Sequence, residues 1–264
     1  MNIIKTTYIY HDCFVVKTHE AVLVFDFWKD PSQRGSLPDP LMDIDNDIPV
    51  YVFVSHGHKD HYNPEIFGCA KHFQNIRYIV SKDVRKRINH IISPGSSYKG
   101  DKVNPSIVIA MSNHDHYTDN IISVDTFPST DIGNSYAVVI AGRTIFHAGD
   151  LNAWIWKDES TEEEVNKALD NFNAIVDMIA AEYDGFDLCF FPVDSRIGTD
   201  YFTGAKIFLD RFKIENFFPM HYELGEDPST IARLHRDAAA FDRYASPNCH
   251  HYIMSAPYSA YTLT

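Results

Sequence analysis

The chain has 264 residues, 45% of them hydrophobic and 22% charged, a balance that excludes a disordered or fibrous protein and suffices for a core without disulfides or a structural metal. Its 23 Lys and Arg stand against 36 Asp and Glu, a formal charge of −13. So acidic a surface repels a phosphate backbone and excludes nucleic acid as a general partner.

In chain order, β-rich runs at Ile3–Tyr10, Cys13–Thr18 and Ala21–Phe27, separated by the polar turn residues His11-Asp12 and His19-Glu20, predict an antiparallel meander. Lys29–Pro49 carries Pro31, Gly35, Pro38, Pro40 and Pro49 among acidic residues and predicts a surface loop. Val50–Val54 is an unbroken apolar run, hence a buried strand, and Asn63-Pro64 supplies a cap and a first-turn proline that open a helix over Glu65–Lys71. Ile76–Val80 predicts a second buried strand, followed by a basic helical stretch, Lys82–Ile92. Lys102–Met111, Ile121–Phe127, Ser135–Ile140 and Arg143–Phe146 predict another set of strands, with Ala141-Gly142 as a hairpin turn. Ser160 with Glu163 has the form of a capping box, and Val165, Leu169, Phe172, Ile175, Val176, Ile179 and Tyr183 recur at helical spacing. Asp187–Pro192 then predicts a strand, Gly204–Phe212 a helix, Glu215–Pro219 a strand and Ser229–Tyr244 a helix. Two successive halves, each a meander passing into α/β units without a Gly-, Ser- or Pro-rich linker between them, predict one α/β domain over residues 1–264. Its two sheets are expected face to face with helices outside.

Cys13, Cys69, Cys189 and Cys249 form no Cys-x-x-Cys pair, so reduced thiols are expected. Met1 to Thr7 lacks the charged-then-apolar run of a signal peptide, and no stretch of about 18 apolar residues occurs, which predicts a cytoplasmic protein with no membrane partner.

The chemistry concentrates in Ser55-His56-Gly57-His58-Lys59-Asp60-His61, directly after the run Val50–Val54. Residues two apart in extended chain point the same way, so His56 and His58 reach one cation together, and the turn that follows redirects Asp60 and His61 towards a second. Imidazole and carboxylate suit a borderline ion such as Zn²⁺, at roughly 2.0–2.2 Å. Asp150, after Thr144-Ile145-Phe146-His147-Ala148-Gly149, and His221, after Phe217-Phe218-Pro219-Met220, each follow an apolar strand, where open α/β sheets place their ligands. Either alone reads as a capping or turn residue; the conjunction with the first motif makes them ligand candidates.

In this order, His56-x-His58-x-Asp60-His61, Gly149-Asp150 and His221 resemble the metallo-β-lactamase-fold hydrolase superfamily, from about residue 5 to 253. Within it, the N-terminal meander and His147-Ala148-Gly149-Asp150 are most similar to the branch that includes ascorbate-6-phosphate lactonase-like proteins. The resemblance implies a four-layer αββα sandwich of two mixed β-sheets with outer helices, and one or two divalent metal ions at one edge of the sheets, Zn²⁺ first and Mn²⁺ second. It implies His56 and His58 on the first ion, Asp60, His61 and His221 on the second, and Asp150 shared. One position departs: where the superfamily supplies a third His to the first ion, Pro128–Ser135 has none. Either Asp131 supplies an oxygen instead, or His56, His58 and Asp150 hold the first site by themselves.

The activity implied is hydrolysis of an ester, lactone, amide or phosphoester bond of a small molecule by a metal-activated water, with Asp60 and Asp150 orienting that water and taking its proton. The alternative is a degenerate module that binds a metal or ligand without catalysis, favoured by the missing His. Redox di-iron members of the superfamily typically carry Glu where His58 stands, so the imidazole there points to hydrolysis. Arg196, following Asp194, is expected to meet a substrate carboxylate or phosphate or else to form a structural ion pair. Tyr222 is expected to donate to an oxyanion, and Trp154 and Trp156 to wall a pocket or fill core. His114-Asp115-His116 reads as a solvated loop. Specificity is expected in the loops Lys29–Pro49, Ser93–Asp101 and Leu151–Glu159.

Overall fold

A computed structural model of the chain describes residues 4–32, 37–100, 102–223, 227–241, 249–253 and 256–263. The chain divides into two compact units, the first comprising Met1–Ser112, Asp119–Ile121 and Ala256–Thr264, the second Asn113–Thr118 and Ile122–Ser255.

In the first unit β1 (Ile4–Tyr10), β2 (Cys13–Lys17) and β3 (Val22–Phe25) form the expected antiparallel meander, and β4 (Val50–Val54), β5 (Ile76–Ser81) and β6 (Val108–Met111) continue it as parallel neighbours. The strand Ala260–Leu263, absent from the sequence reading, pairs with β1 and completes seven strands. Every residue of β3 and β4 is buried, which is why these strands read as continuous apolar runs rather than alternating ones. The segment after Asn63 starts as predicted, with the Asn63 side chain accepting from the Glu65 N–H at 2.9 Å. It winds as a 3₁₀ helix, Pro64–Lys71, rather than an α-helix. Tyr78 on β5 donates its hydroxyl to the Ile66 and Phe67 carbonyls, so these acceptors serve the sheet instead of an α-helical ladder.

Two further expectations are corrected. Lys82–Ile92 is broken at Ile88 into α1 (Lys82–Arg87) and α2 (Asn89–Ile92). The strand expected from Lys102 begins only at Val108, because Asn104-Pro105 starts a 3₁₀ turn in which the Asn104 side chain accepts from the Ser106 N–H and Pro105 has no N–H for a ladder.

The second unit repeats the plan. Strands β7 (His116–Thr118), β8 (Ile122–Pro128), β9 (Asn134–Ile140) and β10 (Arg143–His147) are antiparallel, and β11 (Gly185–Pro192), β12 (Lys213–Met220) and β13 (His250–His251) run parallel beyond β10. Ala141 and Gly142 turn the β9–β10 hairpin at φ 52° and 73°, the left-handed pair that a two-residue loop requires. The short strand β7 takes in His116, which the sequence reading left in a loop.

Among the described residues three α-helices flank these strands: α3 (Glu162–Ala180), α4 (Thr203–Arg211) and α5 (Pro228–Ala240). The capping box of α3 is Thr161 with Glu164, one residue beyond the expected pair; the run Ser160-Thr161-Glu162-Glu163-Glu164 satisfies the motif in both registers. Phe172, Ile175, Val176 and Ile179 form the buried face of α3. Around them Phe186, Phe191, Phe208 and Phe212 make an aromatic core with ring separations of 4.5–6.2 Å. The expected end of the last helix, at Tyr244, lies outside the described residues. Among the described residues no helix is long and apolar enough to cross a membrane. Cys13, Cys69, Cys189 and Cys249 are free thiols.

Candidate metal centre

In the first unit the ligand-type side chains gather at one end of the strands, carried by the β1–β2 turn, the residue after β3 and the loop after β4. Asp26 organises them. Its Oδ1 accepts from the Ser55 N–H at 2.7 Å, and its Oδ2 accepts from the Ser55 hydroxyl at 2.5 Å and from His61 Nδ1 at 2.9 Å. Because the Ser55 proton goes to Asp26, Ser55 Oγ is the acceptor for His56 Nδ1 at 3.0 Å. One buried carboxylate therefore fixes both imidazoles with their protons on Nδ1, leaving Nε2 as the lone-pair nitrogen of each. The two rings lie with centroids 4.1 Å apart, and His58 stands edge-on to His56 at 4.6 Å. The Gly57 N–H between them donates to Asp83 Oδ2 at 2.8 Å, which ties the loop to α1.

The β1–β2 turn adds two residues. His11 and Asp12 are wholly buried; Asp12 Oδ2 lies 3.3 Å from His61 Nδ1, and His11 Nε2 lies 3.8 Å from Asp60 Oδ2. Next to them, burial pushes the Cys13 thiol well up, and the charges of Asp26, Asp30 and Asp12 add to the shift.

In the second unit the chain leaves β10 through Ala148 and Gly149, the latter at φ 53°, and presents Asp150 as a buried carboxylate. His221, the residue after β12, brings Nε2 to 3.1 Å from Asp150 Oδ1 while its Nδ1 donates to Asp194 Oδ2 at 2.9 Å. With Nδ1 as donor, Nε2 carries a lone pair that faces a carboxylate oxygen, an arrangement that calls for a proton or a cation between them. Burial works to raise the Asp194 carboxyl, but His221 and Arg196 outweigh it and hold it at about 2. Arg196 grips Asp194 through Nε and Nη2 at 2.6–3.0 Å. Trp154 donates its indole N–H to the Asp150 carbonyl at 2.8 Å and sets its ring edge-on to His221 at 5.3 Å.

A histidine that ligates a metal almost always gives its other ring N–H to a carboxylate, carbonyl or water, which fixes the tautomer and raises basicity. His61 and His221 have that carboxylate directly, and His56 has it through Ser55. The residues present fit a divalent cation.

Of the residues singled out in the sequence, the structure gathers His56, His58, Asp60 and His61 in the first unit, and Asp150 and His221 in the second. Asp131 offers a ligand oxygen within 4.8 Å of one from Asp150, with Thr130 pinning its loop by a hydroxyl donated to the Asn152 carbonyl at 2.6 Å. Arg196 takes up the ion-pair alternative with Asp194. Tyr222 is fully buried, edge-on to His235 at 4.8 Å. His116 is exposed and paired with Asp125. The sequence reading missed His11, Asp12 and Asp26. For Asp26 the signal was a lone acid inside the apolar run Val24-Phe25-Asp26-Phe27-Trp28; for His11-Asp12 no pattern distinguishes a buried turn from an exposed one.

The profile of the beta-lactamase superfamily domain matches residues 5–166. A metal-dependent hydrolase of Pyrococcus abyssi is 19% identical over 242 residues, covering 89% of this chain and 94% of the relative. Among solved structures, the metallo hydrolase Igni18 of the archaeon Ignicoccus hospitalis superposes with a TM-score of 0.64 at 16% identity over 99% of both chains. The diiron beta-hydroxylase CmlA of Streptomyces venezuelae superposes at 0.57 and 13% identity, over 99% of this chain and 54% of that one. The chain belongs to the beta-lactamase superfamily, and its two mixed sheets with their helices have the metallo-β-lactamase fold that the sequence motifs implied.

Proposed function

We propose that this protein hydrolyses an ester, lactone, amide or phosphoester bond of a small molecule in the cytoplasm, using one or two divalent ions. Zn²⁺ is the first assignment and Mn²⁺ the second. His56, His58, Asp60, His61, Asp150 and His221 are its ligands, with Asp131 in place of the missing third His. One observation carries the reading: carboxylates orient three of the four imidazoles, Asp26 serving His56 and His61 and Asp194 serving His221. An ion bound by these groups supplies Lewis acidity, lowering the pKa of water from 15.7 to about 7 and stabilising negative charge on the scissile oxygen. The chain's own residues do the rest. Asp60 and Asp150 orient the attacking water and accept its proton, while Asp26 and Asp194 keep the imidazoles in the tautomer that can ligate.

The test is turnover by protein of measured metal content on a panel of esters, lactones and phosphodiesters. Metal-dependent hydrolysis that disappears in His61→Ala supports the reading. The absence of His from Pro128–Ser135 favours a second reading, a binding module without catalysis; metal-loaded protein inert on the whole panel, with His61→Ala merely loosening ligand binding, would establish it. Metal analysis of protein purified without added metal separates both from the diiron chemistry named for CmlA, against which the imidazole of His58 argues.

A further inference from the structure

We propose that the β1–β2 turn is part of the metal centre, with His11 and Asp12 ligating the same ion as Asp60 and His61. This rests on the metal-dependent reading above and adds two ligands that the sequence motifs do not contain.

A two-residue hairpin turn ordinarily lies in solvent and carries Asn, Asp or Gly. Here Tyr10 pairs with Cys13 across His11-Asp12, yet both turn residues are wholly buried. Removing a carboxylate and an imidazole from water costs several kcal/mol unless charge and coordination compensate, so a turn with no other task would carry neither. The turn is also held in one conformation. His11 sits at φ 56°, and its N–H donates to the Tyr8 hydroxyl at 2.8 Å. The ring is thereby fixed between Trp28 and His61, edge-on to each at 5.5 and 5.7 Å.

The separations match shared coordination. Two ligands bonded to one ion at about 2.0–2.2 Å can be no more than ~4.4 Å apart. His11 Nε2 is 3.8 Å from Asp60 Oδ2, and one ligand atom from each of His11, Asp12 and His61 lies within 4.8 Å of the others, a spread that small side-chain shifts on binding bring into range. With Asp60, the first unit then offers four candidate donors at this position.

The experiment compares wild type with His11→Asn and Asp12→Asn. Asn tolerates the left-handed backbone at residue 11, and folding is checked by near-ultraviolet circular dichroism. Zn²⁺ and Mn²⁺ stoichiometry and affinity are measured by chelator competition. In parallel, anomalous diffraction locates the ions in wild-type crystals grown with saturating Mn²⁺. The expected result is loss of one equivalent, or a weakening beyond the roughly 10–100-fold that removal of a merely orienting partner causes, and an anomalous peak within about 2.5 Å of His11 Nε2. Wild type that binds metal while both variants match it within tenfold, or anomalous peaks none of which lies within about 4 Å of His11, overturns the role of the turn and leaves the hydrolase reading intact. Wild type that takes up no metal overturns both. If a variant fails to fold, the wild-type diffraction decides.

Discussion

Asp26→Asn is the sharpest perturbation of the first unit, because it changes one atom and no shape. Asp26 Oδ1 faces the Ser55 N–H, which can only donate, so the amide oxygen of Asn must take that side. Its NH₂ then faces Ser55 Oγ and His61 Nδ1, both donors to Asp26 in the parent. Facing the amide hydrogens, His61 is driven to accept at Nδ1 and carry its proton on Nε2, against the pull of Asp12 Oδ2 3.3 Å from Nδ1. Ser55 Oγ, now accepting, turns its own proton to His56 Nδ1 and moves that ring's proton to Nε2 as well. A single isosteric change thus inverts two tautomers, and an Nε2–H nitrogen cannot ligate. The backbone does not object: residue 26 sits at φ 41°, a region Asn occupies readily. Loss of one orienting partner costs 10–100-fold in metal affinity; with two imidazoles affected, the expected loss is at least ~100-fold, or about 2.8 kcal/mol. Chelator competition with Zn²⁺ measures it, and imidazole ¹⁵N shifts of the metal-free protein report the tautomers directly. Affinity within threefold of wild type, or shifts still showing protons on Nδ1, would refute the argument.

Two further predictions concern the second unit. Hydrogen bonds from the Ser229 and Thr230 side chains and the Thr230 N–H hold the Asp227 carboxyl well below the usual carboxylate range, where it caps α5. A depressed folded pKa stabilises above the unfolded value of about 3.9 and fades as pH falls through the folded one. The melting-temperature gap between wild type and Asp227→Ala should therefore be constant near neutrality and close only in strong acid; a gap that widens on acidification contradicts this. Phe191 is wholly buried, with its ring 4.8 Å from Phe208 and 6.3 Å from Phe172. Phe191→Ala should cost about 3–5 kcal/mol in urea unfolding with unchanged m, and a loss below about 1 kcal/mol would mean this core collapses around the gap.

What could be read beforehand follows from where the information is local. Val50–Val54 is legible because a strand buried on both faces must be apolar at every position. His56, His58, Asp60 and His61 are legible because four ligand-type side chains fall within six residues just past that strand's end. Asp194 sat beside a recognised residue but shows its task, orienting His221, only through a hydrogen bond across 27 positions. Asp26 and His61 are 35 positions apart, and nothing in either segment names the other. The same holds for the short strands. His116–Thr118, His250–His251 and Ala260–Leu263 contain few buried residues, so their pairing is set by the neighbouring strand rather than by any apolar pattern of their own.

The backbone explains why these particular side chains could be brought together within each unit. His11 and Asp26 in the first, and Trp154 and His221 in the second, adopt left-handed φ values of 56°, 41°, 44° and 70°. Extended chain leaving a strand alternates its side chains above and below the sheet; a left-handed residue at that point breaks the alternation and turns the side chain over the strand's end. Such a conformation costs roughly 1–2 kcal/mol for most residues and less for Asn, Asp and His, of which Asp and His are also good cation ligands. The strain at Trp154 has a local counterweight in its indole bond to the Asp150 carbonyl. At His11, Asp26 and His221 the residue chemistry and the backbone requirement coincide: side chains able to bind or orient a metal are also among those for which the required turn is cheap. An exchange to Asn therefore keeps the turn while removing the imidazole or the carboxylate charge, which is why Asn is the substitution that separates binding from backbone effects here.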